Sequence, residues 1–112
     1  PYSEKVCAGM IDHFVQAGVN VSASASYDEV EDRFVGRISP QSIKRDAIEL
    51  VNDNPQVEAV FISCTNMKCA HVIPEIEKQT GKVAISSNLA LAWHMARSIG
   101  LTLGGDKGKL CR

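Results

Sequence analysis

Long apolar runs, an excess of one charge, and the common metal and phosphate signatures are all missing from these 112 residues, and each absence removes a class of function. The longest apolar stretch, Leu89 to Ala92 with Trp93, is far short of the roughly 20 residues a membrane helix needs. No basic-apolar leader opens the chain, so the expected compartment is the cytoplasm and no membrane partner is expected. Lys and Arg number 12 against 13 Asp and Glu, a net charge of −1. That balance argues against a nucleic-acid partner held by bulk charge. No glycine-rich phosphate loop follows an apolar segment and no Cys-x-x-Cys occurs, which leaves little for a flavodoxin-like or thiol-redox domain. His13, His71 and His94 are isolated from one another and form no metal pair.

What is present fits one small globular domain or part of a larger one, at 45% hydrophobic and 22% charged residues. Four cysteines, Cys7, Cys64, Cys69 and Cys111, are scattered and partly in apolar contexts. They read as reduced thiols, not as a disulfide framework.

Ser3, then Val6, Met10, Ile11, Phe14 and Val15, with Gly18 behind, predicts a helix over Ser3 to Ala17. Val19, Val21 and Ala23 alternate with polar residues, which predicts a strand over Val19 to Ser24. Ala25 to Arg37 carries six charged residues and no sustained apolar face, and reads as an exposed loop with at most one turn. Ser39 followed by Pro40, with Ile43, Ala47, Ile48 and Val51 on one stripe, predicts a helix over Pro40 to Asn52.

Val57 to Ser63 contains a continuous apolar run, the mark of a central strand covered on both faces. Cys64 to Val72 is then a loop, and a helix holding Ile73, Ile76 and Glu77 starts near Pro74 and stops before Gly81. Lys82 to Ser86 predicts another strand. Asn88 caps a helix from Leu89 to Ile99, which is apolar almost all round and is therefore expected to be buried. The segment from Gly100, with Gly104, Gly105 and Gly108, is a flexible tail able to dock. The alternating order predicts an α/β fold, a small parallel sheet with helices on both faces.

In such sheets ligands bind beyond the carboxyl ends of the strands, and Cys64 directly follows the most apolar strand. A thiol there can act as nucleophile or proton donor; the competing reading is an inert buried cysteine. Thr65 and Asn66 supply a hydroxyl and an amide able to hydrogen-bond a carboxylate, and Lys68 reads as a solvated cation. Cys7 reads as packing and Cys111 as a tail residue without a partner. Cys69 matches no common zinc spacing and is a poor candidate for a resolving thiol.

Pro1-Tyr2 before a helix, Arg37-Ile38-Ser39-Pro40, Ser63-Cys64-Thr65-Asn66, Ser86-Ser87-Asn88 and Ala92-Trp93-His94 together resemble the maleate cis-trans isomerase and arylmalonate decarboxylase branch of the aspartate/glutamate racemase superfamily. The likeness covers nearly the whole chain and corresponds to the second half of such proteins. It implies two pseudo-symmetric α/β halves with the active site between them. Residues 1–112 are then a single α/β domain matching the C-terminal half, lacking the first half and the strand that would precede Pro1-Tyr2.

The resemblance implies further that Cys64 is the second-half catalytic cysteine, that Tyr2 hydrogen-bonds a substrate carboxylate or its oxyanion, and that Thr65 and Asn66 lie where backbone amides bind the same group. It calls for no cofactor and no metal. The implied substrate is a small dicarboxylate, and the implied partner is a second copy of the chain or the missing N-terminal half. Thr65-Asn66 favours cis-trans isomerisation, with arylmalonate-type decarboxylation or amino-acid racemisation as alternatives. A non-catalytic, self-associating anion-binding remnant is the alternative of another class. Asp32 departs from the asparagine usual in the isomerases, and a carboxylate there repels an anionic substrate.

Overall fold

The computed structural model describes residues 1–112. Its elements are α1 (Glu4–Gln16), α2 (Asp32–Val35), α3 (Pro40–Asp53), β1 (Ala59–Ile62), α4 (Ile73–Thr80), β2 (Val83–Ser86) and α5 (Ser87–Ser98). Single 3-10 turns at Ala70–Val72 and Lys109–Cys111 complete them. No helix is long and apolar enough to cross a membrane.

Local chemistry explains where the helices start and stop. Ser39 Oγ accepts the Ser42 amide at 3.0 Å and Pro40 sits in the first turn of α3, where its missing N–H costs nothing. Ile43, Ala47 and Val51, each four residues from the next, bury one side of that helix. Gly81, with φ +73°, ends α4 in the left-handed conformation that a side chain disfavours. Ser86, not Asn88, caps α5: its Oγ accepts the Leu89 amide at 3.2 Å, so the helix begins at Ser87.

The sheet is α/β in character and smaller than the alternation predicts. β1 and β2 pair in parallel, Val60 opposite Ala84 and Ile62 opposite Ser86. These four share the buried face, with Ile73 and Ile76 of α4, Ile43 and Val51 of α3, and Leu89 of α5 in the same core. On the other face Phe14 of α1 meets Phe61 edge-on, with ring centroids 5.7 Å apart. Phe61 remains 45% exposed, so β1 is well covered on one face only, in contrast to the two-sided burial its apolar run suggests.

Val19 to Ser24 forms no strand. Alternation supplies two faces, but a strand also needs a neighbour to accept and donate its main-chain hydrogen bonds, and here there is none. The segment is instead held at its far end, where Ser26 Oγ donates to the Tyr2 carbonyl at 2.7 Å and accepts the Tyr2 amide at 3.1 Å. Tyr27 adds a tie to α3 through its hydroxyl, which donates to Asp46 Oδ2 at 2.7 Å. α5 is likewise not the buried helix its composition suggests. Only Leu89 is buried, while Leu91 and Met95 are 54% and 60% exposed, because a two-stranded sheet is too narrow to cover the helix all round.

The glycine-rich tail docks through a buried carboxylate. Glu77 Oε1 accepts the Ala84 amide at 3.0 Å, on the edge of β2 that faces away from β1, and its Oε2 accepts the Lys109 amide at 2.8 Å. Gly108 lies against this pair at φ +92°, where an added Cβ would stand 2.8 Å from Ile73 Cγ2. Both the backbone angle and the space therefore call for glycine.

Candidate active site at the carboxyl end of the first strand

Cys64 stands two residues beyond β1, where the chain turns away from the sheet, and it has φ +116°. A side chain in that region is strained by roughly 1–3 kcal/mol, a cost native structures concentrate at functional positions. The turn is held from outside. The Cys64 amide donates to Ser87 Oγ at 3.1 Å, and Asn88 Nδ2 donates to the Thr65 carbonyl at 2.7 Å. Asn66 Nδ2 donates to the Asp32 carbonyl at 2.6 Å, tying the same turn to α2. The Met67 amide closes the turn onto the Cys64 carbonyl, and the amides of Thr65 and Asn66 have no acceptor within the chain.

Cys64 opens into a cleft of about 200 Å³ walled by Pro1, Tyr2, Ser3, Val6, Glu29, Val30, Asp32 and Val35. Tyr2 and Cys64, from opposite parts of the sequence, thus share one cavity, brought there by Ser26 on one side and β1 on the other. Thr65 and Asn66 lie outside its wall. The Asn66 side chain is turned to α2, so what this pair can offer a ligand is its two unpaired main-chain N–H groups and the Thr65 hydroxyl.

Sequence reasoning noticed Asp32 as a departure but missed Glu29, which sits in the charged loop with no pattern to mark it. It also missed what Ser87 and Asn88 hold. The sequence assigns the cap to Asn88, and only the fold gives it to Ser86 and leaves Ser87 and Asn88 to reach back to the cysteine turn. A larger surface hollow, between α3 and α4 and lined by Lys44, Arg45, Glu49 and Asp53 among others, is remote in sequence from every candidate residue.

The other thiols occupy different surroundings. Cys69 is 1% exposed in the core, and burial pushes its thiol up from the ordinary value, the opposite of what a resolving thiol needs. Burial, aided by the Glu77 carboxylate, also raises the Cys111 thiol. The Cys7 thiol faces the Tyr2 carbonyl at 3.7 Å. Timed alkylation with iodoacetamide near neutral pH is therefore expected to label Cys64 first and Cys69 last, the latter only on unfolding. Peptide mass mapping that found the four thiols equally modified would contradict this order.

An α/β unit with a thiol on a strained turn past a parallel strand, sharing a cleft with a tyrosine, belongs to the class of the aspartate/glutamate racemase superfamily. The family model for arylmalonate decarboxylase matches residues 1–110, and the chain belongs to that family. It is 26% identical over 102 residues to a maleate isomerase of Alcaligenes faecalis, covering 90% of this chain and 40% of that protein.

A crystal structure of arylmalonate decarboxylase superposes on 98% of the chain with a TM-score of 0.88 at 18% identity, covering 49% of its own length. The unliganded form of arylmalonate decarboxylase gives 0.87 with the same coverage. The chain spans half or less of the relatives it matches, and the fold is that of half of arylmalonate decarboxylase.

Proposed function

We propose that this chain supplies the Cys64 half of a cofactor-independent active site for small dicarboxylates, and that the reaction is cis-trans isomerisation. The observation that carries the reading is Cys64 on its strained turn, facing Tyr2 across the cleft. In this chemistry the Cys64 thiolate adds to one carbon of the cis double bond, and the electron pair moves to the other carbon and into the carboxylate that it bears. The central bond, now single, rotates; the pair returns and expels the thiolate, leaving the trans isomer. Atoms and charge balance with no redox partner. In this proposal the developing charge on the carboxylate is met by the Thr65 and Asn66 amides, which have no acceptor in the chain, and by the Tyr2 hydroxyl.

The maleate isomerase relative supports isomerisation. The family model supports a second reading, decarboxylation of a malonate, in which the Cys64 thiol protonates the carbanion left by loss of carbon dioxide. A second thiol, where the reaction needs one, comes in this proposal from outside these residues, either from a second copy of the chain or from an N-terminal half. The experiment is conversion of maleate to fumarate by the purified chain, followed by absorbance and proton NMR beside light scattering. Fumarate formation abolished by Cys64→Ala supports isomerisation. Release of carbon dioxide from an arylmalonate instead selects the second reading, and tight binding of maleate without turnover leaves an anion-binding module.

Asp32 and Glu29 set a negative field on the cleft wall against a dianion. Asp32→Asn is expected to lower KM for maleate by roughly threefold to tenfold at low salt, with the gain shrinking as salt screens the carboxylate. Equal KM values for the two proteins at low salt would place the Asp32 charge outside the substrate's reach.

A further inference from the structure

The Cys64 turn has one hydrogen bond of its own, from the Met67 amide to the Cys64 carbonyl; it carries a residue at φ +116°, and its Thr65 and Asn66 amides have no acceptor in the chain. Asn66 ties it to the Asp32 carbonyl of α2, and the side chains that reach in to hold its main chain belong to the start of α5. Ser87 Oγ takes the Cys64 amide, and Asn88 Nδ2 holds the Thr65 carbonyl at 2.7 Å. A trans peptide places its N–H opposite its C=O. Fixing the Thr65 carbonyl toward Asn88 therefore aims the Asn66 N–H away from α5, and taking up the Cys64 N–H leaves it unable to compete for the ligand.

We infer that Ser87 and Asn88 are positioning residues that set the direction of the Asn66 amide and the seat of Cys64, so that the first turn of α5 governs how an anion meets the thiol. The inference rests on the reading of Cys64 as the reacting thiol. It does not depend on which dicarboxylate, or which reaction, follows. Neither side chain is needed to start the helix, because Ser86 already caps it through the Leu89 amide. Ser87→Ala even favours helix by intrinsic propensity, so a loss on that substitution is not a loss of α5.

The test compares the rates at which Cys64 is alkylated by iodoacetate and by iodoacetamide, two probes of similar size that differ in bearing a carboxylate. In the unsubstituted chain the amides favour iodoacetate, relative to the same ratio measured on the urea-unfolded chain. Ser87→Ala and Asn88→Ala are expected to lower that preference by about tenfold, since misplacing a preorganised group by about an ångström costs up to about 100-fold. Ser87→Thr, which keeps the hydroxyl, should restore it, and thermal unfolding should be nearly unchanged in all three.

Where Asn88→Ala fails to fold, Asn88→Asp, nearly isosteric but without the donor, takes its place. Folded variants that keep the unsubstituted preference overturn the inference, as does a Ser87→Thr protein that behaves like Ser87→Ala. A preference that depends on these residues in a chain that never converts maleate upholds the inference while setting aside isomerisation. Maleate turnover with an unmoved preference does the reverse.

Discussion

If Cys64 is the nucleophile of the proposed isomerisation, Cys64→Ala is expected to lower maleate turnover by about 1000-fold or more, with Cys64→Gly equally inactive but more stable than the alanine variant. The stability difference comes from the backbone. At φ +116° any L-residue is strained by roughly 1–3 kcal/mol, and glycine is not. Glycine loses about 0.4–1 kcal/mol through the greater freedom of its unfolded chain. Strain relief outweighs that loss, so Cys64→Gly should exceed Cys64→Ala by roughly 1 kcal/mol. Urea unfolding of the two variants measures it directly. If the alanine variant proved the more stable, the turn would be relaxed and the cysteine's placement no longer a sign of a conformation held for function.

The second large effect lies away from the cleft. Glu77→Ala is expected to destabilise the chain by about 1–4 kcal/mol, because it orphans the buried Ala84 amide, at about 1–3 kcal/mol, and removes the acceptor of the part-buried Lys109 amide, which water can partly replace. Removing a buried carboxylate also recovers the cost of having desolvated it, which tempers the loss when a large apolar side chain takes its place. Alanine cannot fill that space, and Ala84 is fully buried, so water does not replace the acceptor of its amide. Against a total stability of about 5–15 kcal/mol for a domain of this size the change is severe.

Glu77→Gln should fall between the two, since its carbonyl can serve one amide while its NH2 group opposes the other. The urea midpoint should drop, and trypsin should cut at Lys107 or Lys109 sooner as the tail is released. A Glu77→Ala protein with an unchanged midpoint and a protected tail would show that the core holds β2 and the tail without the carboxylate.

The elements that could be read in advance are those whose causes lie within a turn of themselves. Ser39-Pro40 and the Ile43, Ala47, Val51 stripe define α3, Gly81 ends α4, and the apolar run before Ser63 marks β1 and puts Cys64 at its carboxyl end. Errors arise where an element's fate depends on what lies opposite it. Val19 to Ser24 has strand alternation but no partner, α5 has a core helix's composition but little to pack against, and Phe61 has an apolar strand's neighbours but only Phe14 over it.

The candidate site divides the same way. Residue order, and the resemblance it carries, point to Cys64 as the thiol to watch and group Tyr2 and the Thr65-Asn66 pair with it as an expectation. The meeting of Tyr2 with Cys64 in one cleft, the positive φ of Cys64, the turning of the Asn66 side chain to α2 and the hold of Ser87 and Asn88 on the cysteine turn come only from the tertiary structure. The Ser39-Pro40 start of α3, the Gly81 stop of α4 and the apolar spacing of α3 act through near neighbours, so the sequence by itself determines them, whereas the cap of α5 falls to Ser86 and not to Asn88. Direction at the site is set by hydrogen bonds between segments far apart along the chain, and those exist only once the core has brought the segments together.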